Sequence, residues 1–317
     1  MKILFAGTPS FAAKHLEILL KGDHEIVSVL TQPDKRSGRG KRIAFSAVKE
    51  IAIENKLKVL QPKSLKEENF VKELNDLEPD IFLVVAYGLL IPQSVLDLPK
   101  LGCVNVHASL LPRWRGAAPI ENCLAAGDSK SGITIMEMTE GLDEGPILRK
   151  FICEIEKKET LGSLEQKFIQ ISSKNLLPFL KEYEAKKIQG VLQPETGSTY
   201  ANKIDNSFKQ LNWTTETSNE IERKIRSLNP KHGAFTYLGD ERIKIFSASV
   251  FEDLNHLEPG QININSKGSL EVGCKNNSYL EIETLQMPGK KIISSEEFVR
   301  GYKSTIYGNL KFSQRNT

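Results

Sequence analysis

A chain of 317 residues with 43 Lys and Arg against 40 Asp and Glu, 39% apolar and 7% aromatic, is long enough for two domains with separate cores. An apolar fraction this ordinary, with 26% charged residues, excludes a disordered or collagen-like chain. The net charge of +3 does not by itself announce nucleic acid, and the longest apolar stretch, 81–91, falls short of the about 20 residues that span a bilayer.

In chain order, residues 2–6 (KILFA) form an apolar strand that ends in Gly7-Thr8-Pro9, which does not read as a signal peptide. Pro9 suits the first turn of a helix, where its missing N–H costs nothing, and Phe11, Ala12, His15, Leu16, Leu19 and Leu20 recur at helical spacing. Apolar runs at 25–31, 80–86, 102–106 and 132–138 predict further strands, with helices near 45–55, 67–77 and 116–126. A long amphipathic segment, 160–183, carries Leu161, Leu164, Phe168, Ile171 and Leu176 on one stripe. Strands alternating with helices predict an α/β domain, a Rossmann-like and mostly parallel sheet covered on both faces. The turn-rich stretch after it has few apolar anchors and reads as a linker. From about residue 206 short apolar runs at 243–246, 261–264, 269–273 and 279–284 are broken by Gly, Asn and Pro, with one helix at 216–228. That texture predicts a small β-barrel or sandwich with an added helix, an OB-like β-barrel being the expected fold. The expected boundaries are a domain over 1–189, a linker over 190–205 and a second domain over 206–317.

Four cysteines at 103, 123, 153 and 274 make no C-x-x-C pair, and five scattered histidines make no H-E-x-x-H. Neither a disulfide framework nor a metal site is expected.

Three features can carry chemistry. Asn105 and His107 lie two apart at the end of a predicted strand, so both side chains point to one face, and open parallel sheets bind ligands beyond their strands' carboxyl ends. His107 can move a proton near neutrality, although a core histidine satisfied by backbone explains the strand equally well. Asp143 lies in a loop between Gly141 and Gly145 and could hold His107 in its charged form. Neighbouring Glu137, Glu140 and Glu144 also allow an acidic surface turn. The stretch TQPDKRSGRGKR (31–42) holds Lys35, Arg36, Arg39, Lys41 and Arg42 against Asp34. It reads as a flexible basic loop suited to phosphates, or as a solvated charge run. There is no G-x-G-x-x-G after the first strand, no P-loop and no G-x-S-x-G elbow, and Cys103 falls on a buried strand. An Asn, a His and an Asp without a Ser or Cys nucleophile suit a direct transfer.

Asn105-x-His107, then Ser109-Leu110-Leu111-Pro112 and Arg113-x-Arg115-Gly116, with Gly141-Leu142-Asp143-Glu144-Gly145-Pro146 downstream, resemble the formyltransferases that use 10-formyltetrahydrofolate. The opening ILFAGTPSFA, the GRGK loop, VVAYG and the tail LQMPGKKIISSEEFVRGY extend the resemblance over nearly the whole chain, to the branch acting on methionyl-tRNA. Departures fall in NSFKQLNW and NPKHGAFT, both in the second domain. The resemblance implies 10-formyltetrahydrofolate as co-substrate, held against VVAYGLLIP and the loop of Ser109, Leu110, Leu111 and Pro112, with no metal. It also implies Asn105, His107 and Asp143 as the catalytic set. Arg36, Arg39, Lys41 and Arg42 would contact initiator tRNA, and the second domain would bind it too. A monomer in a bacterial cytoplasm is expected, without a transit peptide. The rivals are a formyltransferase for a nucleotide-linked amino sugar, a catalytically silent tRNA-binding protein and a folate deformylase.

Overall fold

The first apolar run becomes an interior strand of a sheet. In a computed structural model, which describes residues 1–37, 42–251, 257–302 and 311–314, β1 (Lys2–Gly7) is buried along nearly its whole length. Such a strand is covered on both faces, which explains why its sequence is continuously apolar instead of alternating. The helix α1 (Ser10–Leu19) follows, with Pro9 as its N-cap, one position earlier than the first turn expected for it. Then come β2 (Glu25–Leu30), β3 (Lys35–Ser37), β4 (Arg42–Ala44), α2 (Ala47–Glu54), β5 (Val59–Leu60), α3 (Glu68–Asn75), β6 (Ile81–Val85), α4 (Gln93–Leu96) and β7 (Cys103–His107). The series continues with β8 (Arg115–Gly116), α5 (Pro119–Ala126), β9 (Lys130–Glu137), β10 (Ile147–Glu154), α6 (Leu161–Glu184) and β11 (Tyr200–Ala201).

Seven strands form one sheet in the order β10-β9-β7-β6-β1-β2-β5. From β7 to β5 every pairing is parallel, whereas β9 runs antiparallel to both β7 and β10. The parallel part agrees with the expectation, and β10, which no strand signal had marked, adds an antiparallel edge. Strand order moves outward on both sides of β1, so the crevice between β1 and β6 is the topological switch point. Leu4, Ala6, Phe82, Val84 and Cys103 bury one face together with Leu74, Val95 and Leu96.

The chain divides into two compact units: residues 1–119, 130–154 and 165–202 form one, and 120–129, 155–164 and 203–317 the other. Of the stretch read as a linker, residues 190–202 group with the first unit and 203–205 with the second. Val191 and Ile147 exchange both backbone hydrogen bonds at 2.8 and 2.9 Å, and β11 pairs in parallel with β8.

The second unit carries α7 (Asn206–Lys209), α8 (Ser218–Leu228), β12 (Ala234–Leu238), β13 (Glu241–Phe251), β14 (Ile262–Ile264), β15 (Leu270–Cys274), β16 (Ser278–Gln286), β17 (Ile292–Ser294), α9 (Ser295–Gly301) and β18 (Phe312–Ser313). Its strands pair antiparallel in the order β14-β15-β16-β13-β12-β18, with β17 on β16. A bridge from Gln261 to Lys311 and the Phe312 N–H donated to the Gly260 carbonyl at 2.8 Å bring the two edges together, so the sheet is nearly a closed barrel. Ile221, Ile225 and Leu228 of α8 fill its core with Trp213, Ile243, Ile245, Leu280 and Phe298. The Trp213 indole N–H finds Thr236 Oγ1 at 2.9 Å.

His15 belongs to the first core. It is fully buried. Its Nδ1–H donates to the Phe11 carbonyl at 2.8 Å, and Nε2 accepts from Ser172 Oγ at 2.7 Å, so the neutral ring is fully satisfied. Burial pushes its pKa down to about 4. Above the unfolded value of about 6.5 its contribution to stability is complete. As the pH falls from there toward 4, the unfolded chain binds the proton first and stability is lost, on the order of 3 kcal/mol in all. Urea unfolding at pH 7.5 and 4.5 should show this loss in the wild type and a smaller one in His15→Gln; equal pH dependence in both would assign the titration elsewhere.

Candidate active site

The carboxyl ends of β1, β6 and β7 set the stage. Thr8 Oγ1, just past β1, donates to the Tyr87 carbonyl past β6 at 2.9 Å. Gln32 Nε2, past β2, donates to the carbonyls of Tyr87 and Gly88, both at 3.2 Å. These bonds fix the VVAYG turn, in which Ala86 and Gly88 take positive φ. The Tyr87 ring is buried and its hydroxyl has no hydrogen-bond partner among the described residues; burial raises its pKa.

At the end of β7, Asn105 and His107 point to the same side, as their spacing predicts, and meet one carboxylate. Asn105 Nδ2 donates to Asp143 Oδ1 at 3.2 Å. His107 Nδ1 lies 3.5 Å from Asp143 Oδ2. The Gly116 N–H donates to the same Oδ2 at 2.8 Å. On the far side of the ring, His107 Nε2 donates to the Trp114 carbonyl at 2.9 Å. A carbonyl can only accept, so Nε2 keeps its proton and Nδ1 is the nitrogen left to exchange one. The Nδ1–Oδ2 separation is longer than a hydrogen bond, a common state of catalytic pairs before substrate binds. Asn105 and His107 are buried and the Asp143 side chain nearly so, which strengthens electrostatics among them.

Two glycines make this convergence possible. A Cβ on Gly145 would sit 2.0 Å from the Glu137 carbonyl oxygen, and one on Gly116, at φ +116°, would sit 2.8 Å from the Ala201 carbonyl oxygen. Asp143 itself is at φ +52°, a left-handed backbone that aspartate tolerates better than most side chains.

The loop from Ser109 to Pro112 follows directly. Ser109 Oγ donates to the Arg113 carbonyl at 2.6 Å, and Ser109 and Leu111 turn inward, fully buried. Leu110 and Pro112 remain half-exposed. Thr134, opposite His107 across β7 and β9, holds the loop: its Oγ1 donates to the Ser109 carbonyl at 2.6 Å and accepts the Leu111 N–H at 3.1 Å.

The basic stretch contains a short antiparallel ribbon where a wholly flexible loop was expected. β3 pairs with β4, with Arg36 opposite Ile43 and Ser37 opposite Arg42; Arg39 and Lys41 lie outside the described residues. Short pairings of this kind leave no apolar alternation to read. Asp34 is held by Lys49 Nζ at 2.5 Å and Gln61 Nε2 at 2.8 Å, which keep its carboxyl below the usual range. Among the described residues no group of three or more His, Cys, Asp or Glu is arranged to hold a metal ion, and no helix is long and apolar enough to cross a membrane.

Comparison with known proteins then decides the family. Residues 1–179 match the formyl transferase family and 203–303 its C-terminal domain. A methionyl-tRNA formyltransferase from Marinobacter nauticus is 41% identical over 306 residues, 96% of this chain and 98% of its own. The chain belongs to the methionyl-tRNA formyltransferase family. Solved structures share the fold at lower identity. The methionyl-tRNA formyltransferase from Clostridium thermocellum aligns at TM-score 0.57 and 17% identity, over 80% of this chain and 95% of its own. WlaRD, a sugar 3N-formyl transferase in the presence of dTDP and 5-N-formyl-THF, aligns at TM-score 0.66 and 17% identity, over 92% of this chain and 99% of its own.

In this methionyl-tRNA formyltransferase family member, sequence reading quoted Arg115 within a motif without giving it a role, and did not single out Thr134 or Gln193. Each acts through hydrogen bonds to backbone or to another polar side chain, which leave no periodic pattern. Replacing Thr134 with Val keeps the shape but strands two buried backbone groups. It should cost about 1–3 kcal/mol, measured by chemical denaturation; an unchanged midpoint would mean that the loop finds other partners.

Proposed function

We propose that this protein transfers the formyl group of 10-formyltetrahydrofolate to the α-amino group of methionyl-initiator tRNA, giving N-formylmethionyl-tRNA. The observation that carries the reading is the meeting of Asn105 and His107 on the Asp143 carboxylate, in a chain alike over its whole length to proteins named for this activity. Among the described residues no serine or cysteine nucleophile faces Asp143, so the incoming amine itself attacks the formyl carbon. With an ordinary pKa of about 7.7–8.0, a useful fraction of that amine is neutral at pH 7.

Asn105 and protonated His107 supply hydrogen-bond donors to the negative oxygen that develops on the formyl carbon. Asp143 supports His107 as a cation. The attacking nitrogen gives up a proton to the Asp143 carboxylate, because a cationic His107 has no free lone pair. As the bond from the formyl carbon to N10 breaks, His107 Nδ1 gives its proton to N10 and recovers one from Asp143, so the amide and tetrahydrofolate leave in balance. Folate lies against the VVAYGLLIP turn and the Ser109–Pro112 loop. Because Ser109 and Leu111 face inward, their contribution is through backbone groups, while Leu110 and Pro112 offer side-chain surface. We read the protein as acting as a monomer, and the bacterial source of the named relative supports a bacterial cytoplasm.

The basic stretch follows the carboxyl end of β2, next to those of β1 and β6. Arg36, Arg39, Lys41 and Arg42 contact acceptor-stem phosphates, which position the RNA and make binding salt-dependent, and the barrel offers a second surface. The amino-sugar reading draws on the likeness to WlaRD, but that is a likeness of fold at 17% identity.

The deciding assay is formyl transfer to methionine-charged initiator tRNA, with charged elongator tRNA and a nucleotide-linked amino sugar in parallel. Transfer to the initiator alone is expected; transfer to the sugar would keep the catalytic trio and overturn the substrate. Asn105→Ala and His107→Ala should each lower kcat by on the order of 10²–10³ with folate affinity retained, and near-normal turnover would remove that residue from the chemistry. Arg39→Ala should raise KM for tRNA and leave folate affinity unchanged, whereas a matching loss of folate affinity would mean that the hairpin shapes the folate pocket.

A further inference from the structure

Asp143 can serve His107 only if its own backbone is held, and the loop that carries it has few means of holding itself. Residues 139–142 and 144 are exposed, Leu142 is 52% exposed, and Gly145 is the buried member. Asp143 adds a left-handed backbone, so any relaxation of φ would swing the carboxylate away from Asn105 and Gly116.

One half-buried side chain grips this loop from outside it. Gln193 Nε2 donates to the Asp143 carbonyl at 2.7 Å and to the Gly145 carbonyl at 2.9 Å. Its Oε1 accepts from Arg115 Nη2 at 2.8 Å and Nε at 3.2 Å. The amide has one possible orientation, because the carbonyls only accept and the guanidinium only donates. A glutamate of the same length would serve Arg115 but would set a carboxylate against two carbonyl oxygens. Arg115 precedes Gly116, whose N–H holds Asp143 Oδ2. Gln193 therefore cross-links the backbone behind the carboxylate to the short strand in front of it. The strap that carries Gln193 is fixed on both sides. Val191 bridges to Ile147 two residues earlier, and Thr199 Oγ1 accepts the Trp114 N–H at 2.9 Å while the Arg115 N–H reaches the Thr199 carbonyl at 2.8 Å.

We infer that Gln193 is a positioning residue of the transfer site, holding the Asp143 carboxylate on Asn105 and His107 by clamping its loop to Arg115. This rests on the reading that Asp143 works with His107 in the transfer. Gln193 touches neither substrate in this role, so its removal acts on kcat and leaves both KM values unchanged.

The test is steady-state formylation of charged initiator tRNA by the wild type, Gln193→Ala, Gln193→Glu, Asp143→Ala and the Asp143→Ala/Gln193→Ala double variant, each checked for folding by circular dichroism. Gln193→Ala is expected to lose on the order of 10²-fold in kcat, the scale of a small misplacement of a reacting group. Gln193→Glu should lose at least as much, and it carries the test if the alanine variant does not fold. Removing Gln193 from Asp143→Ala should cost nothing further, since two residues acting as one unit are not additive. Losses that multiply in the double variant, or wild-type kcat in folded Gln193→Glu, would overturn the inference while leaving the proposed function in place. Wild-type kcat in Asp143→Ala would overturn the catalytic reading together with it.

Discussion

A single carboxylate organises the polar cluster at the strand ends of the first unit. Asp143 accepts from the Asn105 amide and the Gly116 backbone N–H and faces the His107 ring. These three groups come from β7 and β8, which follow one another in sequence, while the acid arrives from a loop beyond the next strand. A partly buried carboxylate is stable as an anion only when donors surround it. The convergence thus satisfies Asp143 electrostatically and aims Asn105 and His107 in the same arrangement. Stability and the proposed chemistry make the same demand on the geometry here, whereas in many sites they conflict.

The sheet supplies the platform. Parallel strands end together, so the turns after β1, β6 and β7 lie side by side and can be stitched by Thr8, Gln32 and Thr134. The antiparallel β9, running back beside β7, brings Thr134 level with His107 and ends beside Val104 at the start of β7, so the loop that follows has to fold back along β7 for Asp143 to reach Asn105.

Legibility in the sequence followed the physics of each element. Strands β1 and β6 announced themselves because burial on both faces demands continuous apolar runs, and α6 because its stripe is long. Asn105 and His107 were readable as a pair from the two-residue period alone. Asp143 was only half-readable, since its glycine neighbours signalled a tight approach without naming what it approaches. The edge strand β10 escaped notice because its alternation places Ile152 outward, 64% exposed, among charges. The helix α9 carried a Ser294–Glu297 capping box that sequence reading passed over, in a helix too short for periodicity to speak. The strap around Gln193 looked like a linker because what holds it is hydrogen bonding by backbone and one amide, to which hydropathy is blind.

The place of β1 inside the sheet has a kinetic side. Its neighbour β2 follows after a short helix, but its other neighbour, β6, pairs across a separation of 78 residues, as the bond from the Lys2 N–H to Asp80 records. Closing so long a loop costs little equilibrium stability, because the entropy grows only with the logarithm of its length. Its effect falls on rate: the innermost strand stays half-unpaired until a distant segment returns, the slow and adhesive stage characteristic of non-local parallel pairing. The arrangement that sets the crevice beside β1 therefore also makes that strand's open edge a hazard while the first unit is still folding.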